Sequence, residues 1–279
     1  MAQALPAGKI APNFFYNKTI WITGASSGIG EQLTYDLSKL GAKLILSARR
    51  RGELERVKNA CEGYSNNISI LTLDLADHDA LPKKVEEVLK KVGKLDILIN
   101  NGGISQREFA LNTSFEVDKR IMDVNYFGTI AITKPIAQSM ARHQLGQILT
   151  ITSVAGKIGP PMRSAYSASK FALHGFMDVL RAEIAQYDVT VTTVCPGFVK
   201  TKIAENALTG NGLKRQEKDP NIESGMEVSY VSSRILNALR KKREEVYIGK
   251  KEVLGVYIMR LWPKLLFKWM KKLAKTGVK

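Results

Sequence analysis

Seven short apolar runs alternate with longer amphipathic segments along most of the chain, and this alternation limits the fold more than any other feature. The runs lie at residues 19–23, 43–47, 68–73, 95–99, 147–152, 189–194 and 245–248. Helical periodicity is found between them, at residues 28–40, 51–62, 77–92, 114–144 and 164–186. Repeated strand–helix–strand units favour right-handed crossovers and a parallel sheet covered on both faces. The sequence therefore predicts a doubly wound, Rossmann-like α/β fold, with a ligand crevice at the carboxyl ends of the strands.

A single domain accounts for most of the length. The chain has 279 residues, of which 44% are hydrophobic, and this is enough for one large core. We assign residues 1–17 to an N-terminal arm, 18–250 to the domain and 251–279 to a basic amphipathic C-terminal segment. Residues 200–225 lack clear periodicity. A loop this long in a compact domain is usually a lid or a binding loop, so we predict a substrate loop there.

Positive charge is concentrated at the end of the chain. The formal net charge is +16, and residues 240–279 carry 13 Lys or Arg against 3 Glu, which is +10 of that total. An excess of Lys and Arg that is confined to a tail argues against a nucleic-acid-binding domain. We therefore expect no nucleic-acid partner.

Cysteine usage and the N-terminal residues favour a reducing compartment. The two cysteines, Cys61 and Cys195, have no disulfide or zinc spacing. The three histidines, at positions 78, 143 and 174, have no mutual metal-ligand spacing, so no metal site is predicted. The first eighteen residues contain no apolar run long enough for a secretory signal. We expect a cytoplasmic protein.

The C-terminal segment has a basic amphipathic pattern. On a helical wheel Leu254, Ile258, Leu261, Leu265, Trp269 and Leu273 fall on one side, and Arg260, Lys264, Lys268, Lys271 and Lys275 fall on the other. Trp262 and Trp269 suit a membrane headgroup boundary. The basic residues interrupt the apolar run too often for a spanning helix. Two interpretations stay open: peripheral membrane contact, or packing on the domain or on a second subunit.

A glycine-rich turn follows the first strand and opens a helix. Because Gly24, Gly28 and Gly30 have no side chains, the backbone can turn sharply and a pyrophosphate can approach the exposed N–H groups. An ordinary helix-entry turn that binds no ligand has the same composition and is the alternative. At the end of the second strand, Arg49 stands where an NAD-binding protein would have a carboxylate for the ribose 2′-hydroxyl. A guanidinium there would bind a 2′-phosphate. The sequence favours NADP(H), and the alternative is that Arg49 to Arg51 form a solvated turn.

Tyr166 and Lys170 are one helical turn apart, thirteen residues after Ser153. Moving a hydride to or from a carbon requires proton transfer at its oxygen, and a tyrosine with a pKa of about 10 is a poor base at neutral pH. An ammonium on the same helix face favours the ionised phenol. These residues therefore point to hydride chemistry on a carbonyl or an alcohol. An ordinary half-exposed helix pair is the alternative.

The motifs resemble those of the short-chain dehydrogenase/reductase family, in the family's order. They are residues 23–30, Asn-Asn-Gly-Gly at 100–103, Asn125, Ser153, the Tyr166 to Lys170 segment and Pro196-Gly197. Segments 117–128 and 163–170 further resemble the animal dehydrogenase/reductase member 7 and 7B subgroup and its bacterial relatives. The family usually has alanine where this chain has Gly102, and we expect the missing methyl to loosen that turn.

The resemblance implies roles for individual residues. Lys170 would also hold the nicotinamide ribose, Ser153 would bind the substrate oxygen, and Asn125 would anchor a water that links Lys170 to solvent. Asp74, at the end of the third strand, should contact the adenine or cap the next helix. The predicted catalytic residues are Asn125, Ser153, Tyr166 and Lys170. The predicted cofactor-binding residues are Gly24, Ser26, Ser27, Gly28, Ile29, Gly30, Arg49, Asp74, Leu75, Asn101, Gly102, Gly103, Tyr166, Lys170, Pro196, Gly197, Val199 and Thr201.

These observations predict an NADP(H)-dependent oxidoreductase that interconverts a secondary alcohol and a ketone, or reduces an aldehyde, with an apolar carbonyl substrate. The resemblance also implies a homo-oligomer. Two other classes stay open: a nucleotide-sensing protein without turnover, and an interaction protein that uses its basic tail on a membrane surface or on nucleic acid.

Overall fold

A computed structural model of the protein describes residues 14–276. Most of the predicted N-terminal arm, residues 1–13, and the last three residues lie outside the described part. The strands are β1 Thr19–Thr23, β2 Lys43–Ser47, β3 Ile68–Ile70, β4 Ile97–Asn100, β5 Gly146–Ile151, β6 Val189–Pro196 and β7 Glu245–Ile248. They form one parallel sheet in the order β3-β2-β1-β4-β5-β6-β7. The predicted doubly wound, Rossmann-like fold is confirmed.

Ten α-helices lie in the described range. They are α1 Gly28–Lys39, α2 Arg51–Asn59, α3 Leu81–Val92, α4 Phe115–Met122, α5 Gly128–His143, α6 Ser164–Ile184, α7 Pro220–Glu223, α8 Val228–Arg240, α9 Leu254–Leu261 and α10 Pro263–Thr276. Helix α8 was not predicted. The single helix predicted over 114–144 is divided into α4 and α5 by a π-helical turn, Asp123–Phe127. Wider turns of this kind are frequent at functional sites.

Two hydrophobic layers cover the sheet. One contains Leu33 and Leu37 of α1 and Ile235 of α8, and the other contains Ile132 of α5 and Met177 of α6. All five side chains are buried completely or nearly so. Apolar surface of this extent supplies the main driving force for folding. The strands between the layers are buried on both faces and accordingly read as continuous apolar runs.

Strand order reverses between β1 and β4, which pair with each other although two strands separate them in the chain. The connections after these two strands leave toward opposite faces of the sheet and open a crevice at their carboxyl ends. The glycine turn follows β1 and the Asn100–Gly103 segment follows β4. The fold therefore brings the two segments that were predicted to bind a cofactor to one edge.

The predicted substrate loop, residues 200–225, is held by backbone pairing rather than extended into solvent. Leu208 pairs with Gln106 and with Lys214, and Val199 pairs with Met226 just outside the loop. Helix α7 lies near its end. This segment covers the carboxyl edge of the sheet beside the crevice.

Pro263 was predicted either to begin a helix or to kink a longer one, and the structure has the first arrangement. Trp262 adopts φ −138° and ψ 66°, which ends α9, and Pro263 begins α10. The tail packs on the domain through Val256 and Leu266, whereas Leu261 and Leu265 of the predicted apolar side are 63% and 57% exposed. The break rotates α10 relative to α9, so one wheel cannot describe both. Within residues 14–276, no helix has the length and apolar character needed to cross a bilayer.

Candidate active site

The glycine turn has the backbone geometry that only glycine adopts easily. Gly24 and Gly28 have φ values of +65° and +58°, in the left-handed region. A Cβ on Gly30 would lie 2.4 Å from the Asn101 side chain and 2.4 Å from the Gly24 carbonyl oxygen. Glycine at position 30 therefore lets α1 start directly against the end of β4. The N-terminus of α1 opens toward the crevice, where its free N–H groups suit a pyrophosphate.

An ion pair that was not predicted supports this turn. Arg56 of α2 contacts Glu31 of α1 at 2.7 Å, and another guanidinium nitrogen donates to the Ser26 carbonyl oxygen at 3.3 Å. Tyr35 donates its hydroxyl to the same Glu31 oxygen at 2.6 Å. The turn is thereby held from outside the crevice. Arg and Glu on neighbouring helices are common, so no local pattern indicates this particular pair.

A cavity of about 560 Å³ lies along the carboxyl ends of β1, β2 and β4, which is a typical size for a ligand site. Of the predicted cofactor-binding residues, its lining includes Gly24, Ser26, Ser27, Gly28, Ile29, Arg49, Asp74, Leu75, Asn101, Gly102, Gly103 and Thr201. The shape and the glycine-lined turn fit an elongated, phosphate-bearing dinucleotide. Gly30, Tyr166, Lys170, Pro196, Gly197 and Val199 lie outside this lining.

Two arginines stand at the end of β2. Arg49 and Arg50 both line the cavity and are exposed, and among residues 14–276 neither guanidinium makes a hydrogen bond or an ion pair. Arg51, in contrast, pairs with Glu55 at 2.8 Å. The prediction singled out Arg49, but the geometry offers two cations for one phosphate group. Either guanidinium can supply charge-assisted hydrogen bonds there.

Asp74 does not cap the next helix, as one of its two predicted roles required, because the N-cap of α3 is Ala80; its adenine contact stays a prediction. One carboxylate oxygen accepts a hydrogen bond from the Ala76 N–H at 3.0 Å, and the other lies 3.4 Å from Arg120 of α4. Asp74 and Arg120 both line the cavity. The carboxylate therefore orders the turn after β3 while it faces the crevice.

The Asn101 to Gly103 turn is held by Thr23. The Thr23 hydroxyl accepts from the backbone N–H groups of Asn101 and Gly102 at 3.1 and 3.0 Å, and the Asn101 amide donates to the Thr23 and Gly24 carbonyls. A Cβ on Gly102 would lie 2.6 Å from Leu75 Cδ1. The Leu75 side chain therefore occupies the space that an alanine methyl would need, and the expected loosening of the turn stays a prediction.

Asn125 lies in the π-helical turn and is completely buried. Its amide oxygen accepts from Ile104 N–H at 2.8 Å, and its amide nitrogen donates to Ile104 O at 2.9 Å and to Ser169 Oγ at 3.0 Å. A Cβ on Gly103 would lie 3.1 Å from this oxygen and 3.6 Å from Lys170 Nζ. The absence of a side chain at Gly103 thus leaves an open approach to both groups.

Ser153, Tyr166 and Lys170 converge where β5 meets α6. Tyr166 and Lys170 are 7% and 5% exposed, and Lys170 Nζ donates to Ile151 O at 3.0 Å and lies 5.8 Å from the Tyr166 ring centroid. Ser153 Oγ accepts from Ala155 N–H at 3.1 Å. Side chains from a strand end and a helix face therefore form one buried polar group, as helical spacing predicts for the Tyr–Lys pair.

Burial changes the acidity of the pair. It raises the pKa of Tyr166, while the guanidinium of Arg163 and a hydrogen bond with Ser153 act in the opposite direction. Burial also lowers the pKa of Lys170 to about 8. Both shifts follow from the cost of burying a charge. The Lys170 ammonium is therefore the main form at neutral pH.

Arg163 is a second cation beside the phenol, and the sequence reasoning missed it. Its guanidinium carbon lies 5.9 Å from the Tyr166 ring centroid. The side chain is held by Ser105 Oγ at 3.3 Å and by Asp219 at 3.5 Å, and Arg107 also contacts Asp219 at 3.4 Å. Asp219 is buried, so two arginines compensate one carboxylate. The predicted substrate loop is tied through Asp219 to the helix that carries the tyrosine.

The four residues predicted after β6 point in different directions. Gly197 donates its N–H to Ile248 O at 2.8 Å, next to Pro196. Val199 is 5% exposed and packs in the hydrophobic core, and its backbone pairs with Met226. Its contact with the cofactor stays a prediction. The Thr201 methyl would lie 3.1 Å from a Cβ on Gly28. This contact places Thr201 next to the glycine turn, which favours a position beside the pyrophosphate of the cofactor.

His174, Cys195 and Glu245 lie together behind Lys170. Cys195 Sγ lies 3.6 Å from His174 Nε2, and Glu245 Oε1 lies 3.5 Å from His174 Nδ1. The Cys195 thiol faces one ring nitrogen of His174 and the Glu245 carboxylate faces the other. A metal ion bound to either nitrogen would therefore lie on the side of only one of these two partners. Lys157 also contacts Glu245 at 2.7 Å. Burial lowers the pKa of His174 to about 4 and raises the pKa of Cys195 to about 12, so the imidazole and the thiol are neutral and suit a structural role beside the Lys157–Glu245 ion pair.

Known proteins provide an independent comparison. The family profile described as short chain dehydrogenase matches residues 18–211. The Drosophila melanogaster dehydrogenase/reductase SDR family protein 7-like is 40% identical over 267 residues, 94% of this chain and 81% of the fly protein. Human dehydrogenase/reductase SDR family member 7 is 39% identical over 265 residues, 93% of this chain and 78% of the human protein.

Solved structures give the same fold. A short chain dehydrogenase/reductase from Burkholderia phymatum in complex with NAD has a TM-score of 0.80 at 23% identity, covering 90% of this chain and 95% of the other. A short chain dehydrogenase from Burkholderia cenocepacia in complex with NADP has a TM-score of 0.75 at 22% identity, covering 92% and 98%. With a matching profile over more than half of its length and relatives near 40% identity over most of it, the chain belongs to the short-chain dehydrogenase/reductase family of oxidoreductases.

Proposed function

We propose that this protein is an NADP(H)-dependent oxidoreductase that interconverts a secondary alcohol and a ketone, or reduces an aldehyde. The observation that carries the proposal is the meeting of Ser153, Tyr166, Lys170 and Asn125 beside the glycine-lined crevice. A protein that only senses a nucleotide has no need for a buried phenol and a buried ammonium at this place. The presence of both favours turnover over that alternative.

The roles of the side chains follow from their chemistry. When bound, the reduced nicotinamide supplies a hydride to the carbonyl carbon. Ser153 donates a hydrogen bond to the carbonyl oxygen, and Tyr166 gives that oxygen its proton. Lys170 and Arg163 stabilise the phenolate that remains, because both cations lie about 6 Å from the ring. Asn125 holds the backbone of the Ile104 turn and so keeps the site open on the Gly103 side.

NADP(H) preference is supported by the two unpaired guanidinium groups at the end of β2. A 2′-phosphate would gain charge-assisted hydrogen bonds from Arg49 or Arg50, and a ribose 2′-hydroxyl would find no carboxylate after β2. The solved relatives include one complex with NAD and one with NADP. The arginines of this chain are therefore the basis for the preference.

The cavity wall beyond the cofactor residues is mixed. Its apolar members include Val117, Val124, Ile203 and Leu208, and its polar members include Ser105, Glu116, Asn206, Lys202 and Lys214. The apolar members support an apolar carbonyl compound as substrate, with the polar groups orienting it. We further propose that the protein forms a homo-oligomer, since the long helices α5 and α6 are exposed along part of their length. We also propose that it works in the cytoplasm.

Equilibrium titration with NADPH and NADH, followed in the same sample by a panel of aldehydes and ketones, tests the proposal. We expect tighter binding of NADPH and its oxidation by at least one carbonyl compound. Folded protein that binds NADPH without turnover of any panel member would favour the nucleotide-sensing alternative. Binding of neither nucleotide would make the glycine turn structural and would direct attention to the tail.

A further inference from the structure

The C-terminal tail keeps an apolar surface exposed although one side of it packs on the domain. Its buried contacts are Val256 and Leu266 against Val154 and Ile158. Helix α10 otherwise contacts the domain chiefly through Met270, which is partly buried. The tail is therefore anchored, and its remaining faces point away from the core.

Large apolar side chains are exposed at the junction of α9 and α10 and along one flank of α10, and together they are called the apolar flank of the tail. Leu261, Trp262, Leu265 and Trp269 are 63%, 63%, 57% and 47% exposed. In α10 the spacing of Leu265 and Trp269 puts both on the same flank of the helix, next to Trp262 at its start. Large apolar side chains grouped on a surface mark an interaction site, whereas single ones do not. Tryptophan in particular suits the boundary between headgroups and acyl chains.

The charge of the tail identifies the kind of partner. Residues 254–276 contain Arg260, Lys264, Lys268, Lys271, Lys272 and Lys275 and no Asp or Glu. A second copy meeting this face about a two-fold axis would bring two such cationic surfaces together. An anionic surface would be attracted at long range and would also accept the apolar flank. Combined apolar and basic faces on a helix are the pattern of interfacial membrane binding.

We propose that helices α9 and α10 form a docking surface for an anionic lipid bilayer, with the flank of Leu261, Trp262, Leu265 and Trp269 inserted at headgroup depth. Helix α10 has 14 residues, about 21 Å at 1.5 Å per residue, so it lies on the bilayer rather than across it. The tail contacts Val154 and Ile158 just after Ser153, and a Cβ on Gly255 would lie 3.1 Å from Ile158 Cδ1. Docking therefore places the catalytic serine's loop beside the membrane.

This position also suggests where the substrate comes from, an inference that rests on the proposed function. An apolar carbonyl compound is concentrated in the bilayer rather than in water. It would reach the site from the lipid side, near Ser153. The chemical class is a membrane-soluble ketone or aldehyde.

Flotation of the full-length protein with vesicles tests the docking surface. Wild-type protein should float with phosphatidylcholine–phosphatidylserine vesicles and much less with pure phosphatidylcholine vesicles. The triple variant Leu261→Ser, Leu265→Ser, Trp269→Ser should bind at least about tenfold more weakly, because these side chains are exposed and their apolar insertion is lost. Its matched control is Val179→Ser with Tyr187→Ser, which removes exposed apolar side chains outside the tail.

A second pair of variants tests the charge. Lys264→Gln, Lys268→Gln and Lys272→Gln together should weaken binding to anionic vesicles at least about tenfold. The same three changes at Lys83, Lys90 and Lys91 of α3 should have little effect, since these lysines are exposed on another surface. Equal binding to neutral and anionic vesicles, or equal losses in the control variants, would overturn the proposal.

Sedimentation velocity separates a bilayer from a second subunit. If the apolar triple variant kept wild-type vesicle binding but dissociated an oligomer, the flank would be a subunit interface and the proposal would be wrong. The outcome is independent of catalysis. Inactive protein that still floats with anionic vesicles refutes the proposed function alone, whereas active protein that never floats refutes the docking surface alone.

Discussion

The cofactor side and the substrate side of this molecule are built differently. On the cofactor side, from β1 to β4, the contacts join short glycine-rich segments that end neighbouring strands, such as Thr23 with Asn101 and Gly102. On the substrate side, Arg163 is held by Asp219, which lies 56 residues away, and the tail packs on the loop after β5. The first side depends on backbone shape, and the second depends on side chains brought together from distant parts of the chain.

This difference suggests which properties each side controls. Backbone shape at the glycine turn fixes whether a dinucleotide can approach at all. On the other side, Arg163 lowers the pKa of Tyr166, and the tail packs on the loop that follows Ser153. Substitutions at the two sides should therefore change different measured quantities.

Tyr166→Phe removes the proton donor where the two sides meet. We expect kcat/KM for carbonyl reduction to fall by about 100- to 10,000-fold, the usual contribution of a general acid, while the Kd for NADPH changes by less than about threefold. Steady-state kinetics and fluorescence titration of the same preparation measure both. Tyr64→Phe, on the surface, is the control. A variant that retained most of its rate would contradict the assigned mechanism.

Gly30→Ala tests backbone shape on the cofactor side. The new methyl would lie 2.4 Å from the Gly24 carbonyl oxygen and the Asn101 amide, so we expect a loss of about 1–3 kcal/mol in the free energy of unfolding and weaker NADPH binding. Gly52→Ala in α2 has no atom within 4 Å of its new methyl and should be neutral or stabilising by up to about 1 kcal/mol. Urea denaturation compares them, and equal effects would count against the close approach.

Arg49→Ala and Arg50→Ala test the choice of nucleotide. Loss of a charge-assisted phosphate contact, worth roughly 1.5–3 kcal/mol, should weaken NADPH binding about tenfold or more and leave NADH binding nearly unchanged. The double variant should show the larger change. Arg51→Ala, which removes a guanidinium already paired with Glu55, serves as the control in isothermal titration. An unchanged NADPH-to-NADH ratio in the double variant would place both arginines among ordinary surface charges.

Arg163→Gln tests the link between the substrate side and the phenol. Because Arg163 lowers the pKa of Tyr166, its removal should raise that pKa and move the pH dependence of kcat/KM for alcohol oxidation to higher pH. Arg163→Lys should restore part of the difference. Arg107→Gln also loses a contact with Asp219, but Arg107 is not among the groups that shift the Tyr166 pKa. Identical profiles for the Arg163 and Arg107 variants would assign both residues to loop stability alone.

The cofactor side was largely predictable from the sequence because its signals are local. Glycines that require positive φ and strand ends that converge at one edge can be recognised over a few residues, and the bounds of β1, β2 and β7 agree with the predicted runs. Helix α8 could also have been found, since Val228, Val231, Ile235 and Leu239 follow a helical spacing. This spacing alone predicts a helix between residues 228 and 240.

The substrate side could not be predicted in the same way. The Arg163–Asp219 contact depends on how residues 200–225 fold back, and no local pattern specifies that path. Leu75 fills the space next to Gly102 only because the turns after β3 and β4 meet. In the tail, one residue at the Trp262–Pro263 break changes which face meets the domain. Contacts between distant segments need the fold before they can be recognised.

Single-turnover reduction by the wild-type protein tests whether Tyr166 and bound NADPH together reduce a carbonyl. Protein saturated with NADPH is mixed with an apolar ketone or aldehyde, and the cofactor absorbance is followed for unlabelled NADPH and for NADPH deuterated at the transferred hydrogen. We expect stoichiometric NADPH oxidation, slowed by deuterium on one face of the nicotinamide and slowed at least about 100-fold in Tyr166→Phe. Folded, NADPH-saturated protein that oxidised no cofactor with any carbonyl compound, or did so equally well without the Tyr166 hydroxyl, would contradict this expectation.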